Sequence, residues 1–126
     1  MFDNNISALN AFSTSMQVTA NNIANVNTDG FKHSRAELET GPGDQGVRVA
    51  DIRQSTQAGP LVESLVRVED QVTGQVSTEY QYVEGSNTDL AREFTHMIMT
   101  QRGYEANAQA IRAQDEMLGS LMDMMV

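Results

Sequence analysis

From Leu90 to the end of the chain, apolar side chains return every three or four residues and no proline interrupts them, which constrains the fold more than any other feature. Leu90, Phe94, Met97, Gln101, Tyr104, Ala108, Ile111, Asp115, Leu118, Met122 and Met125 keep a four-three alternation, the period of a helix that packs lengthwise on another helix. Ser86 followed by Asp89 fits a capping pattern, so the segment reads as one helix of about forty residues, roughly 55 Å long at about 1.5 Å per residue. A lone helix of that length needs a partner.

A partner is at hand at the other end of the chain. Phe2, Ile6, Leu9, Phe12, Met16, Ala20, Ile23 and Val26 are also spaced by threes and fours, predicting an amphipathic helix. Its opposite face is Asn, Ser, Thr and Gln instead of Lys and Glu, which suits contact with another chain better than contact with water. Asparagine tolerates left-handed backbone, so this helix should end at Asn25 to Asn27, with Asp29-Gly30 as the turn that follows. The two helices are expected to pair as an antiparallel coiled-coil hairpin, with Gln101 and Asp115 interrupting the seam so that part of it finds other surfaces.

Between them the chain changes character. Gly41-Pro42-Gly43-Asp44-Gln45-Gly46 is a turn cluster that lacks the Lys-Ser/Thr of a phosphate loop and reads as a hairpin turn. Val47, Val49 and Ile52 alternate with polar neighbours, Leu61 to Val68 reads as a strand, and Val72 to Tyr82 is rich in β-branched residues and Tyr with a break at Gly74. The expected fold is therefore mainly α with a small, irregular β region. One structural unit is expected, with an N-terminal helix and turn over 1–30, the β segment over 31–85 and the long helix over 86–126.

Composition narrows the function. Aromatics are 6% of the 126 residues, thin material for a compact core, whereas eight Met offer adaptable packing in helix interfaces, so some core is expected to be shared between chains. With 8 Lys and Arg against 17 Asp and Glu, the net charge of -9 disfavours nucleic acid. No cysteine is present to form disulfides or thiolate metal sites. His33 and His96 stand far apart, and Glu37 with Glu39, or Glu63 with Glu69, are carboxylates in an acidic chain with nothing to mark them as catalytic. No enzyme, cofactor, metal or small-molecule substrate is expected. The Met-rich end, Met117, Met122, Met124 and Met125, lies among Asp115, Glu116 and Asp123, which anionic lipid repels, and no run is apolar enough for membrane insertion. The N-terminus lacks the basic and apolar regions of a cleavable signal peptide.

Two segments carry a resemblance. Ala20-Asn21-Asn22-Ile23-Ala24-Asn25-Val26-Asn27-Thr28-Asp29-Gly30-Phe31 is similar to the N-terminal signature of the flagellar basal-body rod and hook family. Ser86-Asn87-Thr88-Asp89-Leu90-Ala91-Arg92-Glu93-Phe94, running into Met97-Ile98-Met99-Thr100-Gln101-Arg102-Gly103-Tyr104-Glu105-Ala106-Asn107, is similar to its C-terminal signature. The short middle segment resembles the small proximal rod subunits, while Tyr82 to Asn87 look more like the ending of distal rod and hook subunits. Asp29 stands where many members have Pro.

The resemblance implies a structural subunit of the periplasm-spanning rod, exported by the flagellar type III apparatus and polymerising through its terminal helices to carry torque from motor to hook. Partners would be other rod and hook-basal-body proteins and copies of the chain itself. Interface residues carried over are Ala20, Asn21, Asn22, Ile23, Ala24, Asn25, Asn27, Gly30 and Phe31, then Asn87, Leu90, Glu93, Phe94, Met97, Gln101, Arg102, Tyr104, Glu105, Asn107, Ile111 and Leu118. Arg102 and Glu105 are close enough on a helix to pair their charges. The alternative from another class is a soluble adaptor or regulator whose terminal helices bind one helical partner.

Overall fold

In the computed structural model, which describes residues 2–125 apart from the Phe2 side chain, six elements run in the order α1 (Phe2–Ala24), β1 (Ser34–Thr40), β2 (Val47–Gln54), β3 (Leu61–Glu69), β4 (Val76–Glu84) and α2 (Leu90–Met124). Met1, Val126 and the Phe2 side chain counted in the N-terminal stripe lie outside those residues. α1 stops at Ala24 because asparagine side chains take over the last turn. The Asn25 amide donates to the Asn21 carbonyl at 2.8 Å, and the Thr28 hydroxyl donates to Asn25 Oδ1 at 3.0 Å. The left-handed position is Gly30 (φ 71°) and not an asparagine. α2 begins at Asp89, whose carboxylate accepts from the N–H groups of Ala91 (3.1 Å) and Arg92 (3.4 Å). Ser86 is not the cap; its hydroxyl donates to Thr88 Oγ1 at 2.9 Å in the preceding turn.

The expected fold class does not hold. The four strands are seven to nine residues long and account for 27% of the described residues, too much for a small irregular region. They form two regular antiparallel hairpins. β1 and β2 pair from Ser34 opposite Gln54 to Thr40 opposite Val47, with one bulge after Glu37. The Gly41 to Gly46 cluster closes this hairpin, with the Gly41 N–H donating to the Gly46 carbonyl at 3.1 Å. β3 and β4 pair without a shift from Leu61 opposite Glu84 to Glu69 opposite Val76. Their turn holds Gly74 at φ 71°, and the Val72 N–H donates to the Asp70 carboxylate at 2.9 Å, a bond that keeps the Asp70 carboxyl below its ordinary value. Sequence alternation understates this second hairpin because neither face is fully buried: Leu61 (71% exposed), Leu65, Tyr80 and Tyr82 share one face and all are open, and Ser64, Val66 and Val68 on the other are half-buried.

No coiled-coil hairpin results either. α1 and α2 lie side by side in opposite directions, with Asn22 against Glu93, Ser15 against His96, and Phe12 over Gly103. The seam between them is not the apolar alternation. Buried positions on α1 are Ala8, Ala11, Ser15, Thr19 and Asn22, and on α2 Glu93 and Thr100, with His96, Gly103, Asn107 and Ala110 half-buried alongside. Each of these lies one residue before a member of the apolar stripe, a rotation of about 100° for both helices. Small side chains let the backbones approach, and their polar atoms are satisfied locally: Thr100 donates to the His96 carbonyl at 2.9 Å and Asn107 to the Gly103 carbonyl at 2.9 Å.

The first hairpin rests on α1, held at one end by Ser34 against Asn22 and at the other by the Val47 N–H donating to Ser7 Oγ at 3.1 Å. The second projects from the body, and the bonds that tie it down run through its base. There the Gly30 N–H donates to the Glu84 carbonyl at 2.7 Å, the Gly85 N–H donates to the Pro60 carbonyl at 2.7 Å, and the Lys32 ammonium pairs with the Glu84 carboxylate.

Candidate functional site

Rotating both helices by one residue sets aside two apolar stripes that the chain itself does not cover. Among the described residues the fully buried apolar side chains are Ala8 and Ala11 alone. Ile6, Leu90, Phe94 (47% exposed), Tyr104, Leu118 and Met122 are open to solvent, and Leu9, Phe12, Met16, Ile23, Met97 and Ile111 are half-buried. The stripes emerge on the same side of the seam, where Phe12 and Met16 of α1 line a cleft of about 300 Å³ with Gln101 and Tyr104 of α2. A compact monomer of 13.8 kDa exposes about 6,600 Å², whereas this chain exposes 9133 Å². The excess is the stripes, the overhanging end of α2 and the projecting hairpin.

Beside this face sits a polar clasp built from both signature segments. Asn22 is 0% exposed, and its side chain imitates a neighbouring strand: the amide donates to the Ser34 carbonyl at 2.7 Å, and its oxygen accepts from the Ser34 N–H at 2.9 Å. The amide also donates to Glu93 Oε2 at 3.2 Å, and Glu93 Oε1 accepts from Arg35 at 3.2 Å. Glu93 is 1% exposed and Arg35 is partly open, so the ion pair is shielded on the carboxylate side. Asn87 makes a similar clamp on the preceding residue, His33. Its oxygen accepts from the His33 N–H at 2.7 Å and lies 2.9 Å from His33 Nδ1, while its amide donates to the Gln57 carbonyl at 2.9 Å. Lys32 donates to the same carbonyl at 2.8 Å. Three chain segments, around residues 30–35, 55–60 and 84–93, are thus held together by side chains.

The predicted interface residues therefore divide. Asn22, Glu93 and Asn87 face inward to the clasp, and Asn107 bonds its own helix. Ala20, Asn21, Ala24, Asn27, Gly30, Leu90, Phe94, Gln101, Arg102, Tyr104, Glu105 and Leu118 are exposed, and Ile23, Asn25, Phe31, Met97 and Ile111 are half-buried. Glu105 accepts from Gln101 at 3.4 Å, and among the described residues no ion pair joins it to Arg102. Arg35 and Ser34, essential to the clasp, lie in β1 outside the quoted signatures. Their one sequence signal is position, immediately after the turn that ends the N-terminal signature.

His96 stands where the seam meets the clasp, 3.3 Å from Ser15 Oγ. Burial first, and then the Arg35 guanidinium, hold its imidazole below the ordinary 6.5, with Glu93 pulling the other way. Folding thus favours the neutral ring. The unfolded chain takes up a proton at higher pH than the folded one, so stability is full above about pH 6.5 and is lost as pH falls from there through the lower folded value. The urea midpoint should drop between about pH 7.5 and pH 5.5, and His96→Gln should flatten that drop. An unchanged slope in the variant would place the proton elsewhere.

Comparison with known proteins returns to the same two ends of the chain. Residues 2–32 match the family model described as flagella basal body rod protein, and residues 80–124 match the one described as flagellar basal body rod FlgEFG protein C-terminal. The flagellar hook protein FlgE of Escherichia coli (strain K12) is 45% identical over 42 residues, 33% of this chain and 10% of that protein. The flagellar basal-body rod protein FlgG of Bacillus subtilis (strain 168) is 44% identical over 43 residues, 34% of this chain and 16% of its own length. That of Buchnera aphidicola subsp. Schizaphis graminum is 50% identical over 40 residues, or 32% and 15%. The chain thus matches well under a fifth of the length of these relatives.

Proposed function

We propose, given that this chain belongs to the flagellar basal-body rod and hook family, that it is a structural subunit of the rod whose uncovered apolar face is completed by other subunits. One observation carries this reading: two long helices with apolar stripes, and among the described residues only two alanines as buried apolar side chains. At about 25 cal/mol for each Å² of apolar surface removed from water, covering the excess surface is the largest stabilisation still open to the molecule. Neighbours are copies of this chain and related rod and hook subunits. Rigid helices packed lengthwise against neighbours resist twisting, so torque passes along the assembly without a chemical step. Delivery through the flagellar type III export apparatus completes the proposal, and the weak core favours it because little folded structure has to be undone for passage.

The test is the state of the purified chain as concentration rises. Sedimentation should show concentration-dependent association, and amides of Phe2–Ala24 and Leu90–Met124 should gain protection from hydrogen exchange as it proceeds. Phe94→Asp with Tyr104→Asp should abolish association while costing the monomer no more than about 1–2 kcal/mol, since both side chains are about half exposed. A monodisperse monomer at every concentration, with both helices already protected, would sink the reading in favour of a self-contained adaptor.

A further inference from the structure

Past Gln114, α2 runs on with every described side chain exposed, among them Met117, Leu121, Met124 and Met125. Residues 113–125 carry Asp115, Glu116 and Asp123 and no Lys or Arg, in a helix whose face around Met117, Leu121 and Met124 includes Glu116. At the opposite end of the same helix is its electrostatic complement. Arg35, Arg92, His96 and Met99 line an open cleft of about 650 Å³ where β1 meets the first turns of α2. The acidic groups beside Arg92 in the sequence are committed, Glu93 to Asn22 and Arg35, and Asp89 to capping the helix. In a chain of net charge -9, this leaves Arg92 as an exposed cation beside the exposed thioether of Met99.

We infer that the acidic, Met-rich end of α2 docks into the Arg35–Arg92–Met99 cleft of a second copy, Glu116 against Arg92 and Met117 against Met99. This deepens the assembly reading and rests on it. Two different patches meet, so the contact is heterologous and repeats without closing. Arg92 and Glu116 are 24 residues apart on one helix, about 36 Å at 1.5 Å per residue, which sets the scale of the step from copy to copy. Charge steers the encounter and apolar contact holds it.

Because the chain has no cysteine, the double variant Met99→Cys/Met117→Cys tests the contact directly under mild oxidation of the full chain. A disulfide requires Cα atoms within about 7 Å, so a bond between position 99 of one copy and position 117 of another, identified by peptide mapping, forms only where those two positions meet. The expected result is a ladder of covalent oligomers extending beyond dimer. Arg92→Glu or Glu116→Arg alone should weaken association roughly three- to tenfold and empty the ladder, and the two together should restore both. Association that persists without the crosslink and ignores Arg92→Glu overturns the docking and leaves the assembly reading standing. Met117 joining only Met117, or a ladder that stops at dimer, also overturns it, in favour of paired tails or a reciprocal dimer. No association of the unmodified chain at any concentration overturns both readings.

Discussion

Asn22→Ala lowers the free energy of unfolding by about 3 kcal/mol, and Asn22→Asp, the closer match in shape, lowers it further. The alanine leaves the Ser34 N–H and carbonyl without partners in a site from which water is excluded, at about 1–3 kcal/mol for each orphaned group, discounted for some entry of water. It also strips one donor from the buried Glu93 carboxylate, which keeps Arg35. Aspartate preserves an acceptor for the Ser34 N–H but turns a donor toward the Ser34 carbonyl into a second acceptor. It also sets one carboxylate against another where the amide now sits 3.2 Å from Glu93 Oε2. Urea titration at neutral pH should rank wild type above Asn22→Ala above Asn22→Asp, with exposed Asn21→Ala within about 0.5 kcal/mol of wild type. If aspartate proves milder than alanine, the clasp is wetter than its geometry implies.

That ranking also marks how far the sequence could be read. Period and phase are separate pieces of information, and hydrophobicity supplied the first without the second. Spacing by threes and fours correctly marks Leu9, Phe12, Met16 and Ile23, or Phe94, Met97 and Tyr104, as one face of a helix. It assumes that this face points into the chain's own core. In this chain the assumption fails, because the intrachain seam is the neighbouring row of Ala11, Ser15, Thr19 and Asn22 against Glu93, Thr100 and Gly103. Nothing in an alternation of apolar residues distinguishes a stripe kept for a neighbour from one kept for the fold. Asn21 and Asn22 make the same point in one dipeptide, one exposed and the other fully buried, although they are chemically identical.

The strands were legible in kind but not in extent. Turn chemistry at Gly41 to Gly46 and around Gly74 was correctly placed, since glycine is needed where backbone reaches φ near 71°. β1 passed unnoticed because its alternation is short and weak, Ala36 and Leu38 among charged neighbours; its start is fixed by an asparagine side chain twelve residues upstream. The second hairpin was taken as irregular for a different reason. One face is open and the other only half-buried at Ser64, Val66 and Val68, so the apolar residues Leu61, Val62, Leu65, Val66 and Val68 fall on both faces and give no clean period-two pattern.

Gly103→Val should cost about 2–3 kcal/mol and loosen the middle of the helix pair, whereas Gly103→Ala should be close to neutral. A glycine inside a helix gives up about 1 kcal/mol relative to alanine, so its place within the 35 residues of α2 calls for a reason. The reason is Phe12, whose ring lies over the bare Cα: an added Cβ would sit 3.0 Å from Cζ and 3.3 Å from each Cε. That is tight but not prohibitive, because the ring stands at the half-open cleft beside Tyr104 and can move by a few tenths of an ångström, offsetting the gain in helix propensity. Valine adds two further methyl groups to the same space, and these must push the ring outward or the helices apart. Chemical denaturation gives the loss directly, and Phe12→Leu in the valine background separates the two outcomes. If the ring alone is displaced, the smaller side chain recovers most of the stability. If the backbones have separated, Ser15 and Thr19 lose their close approach as well, and the second substitution recovers nothing.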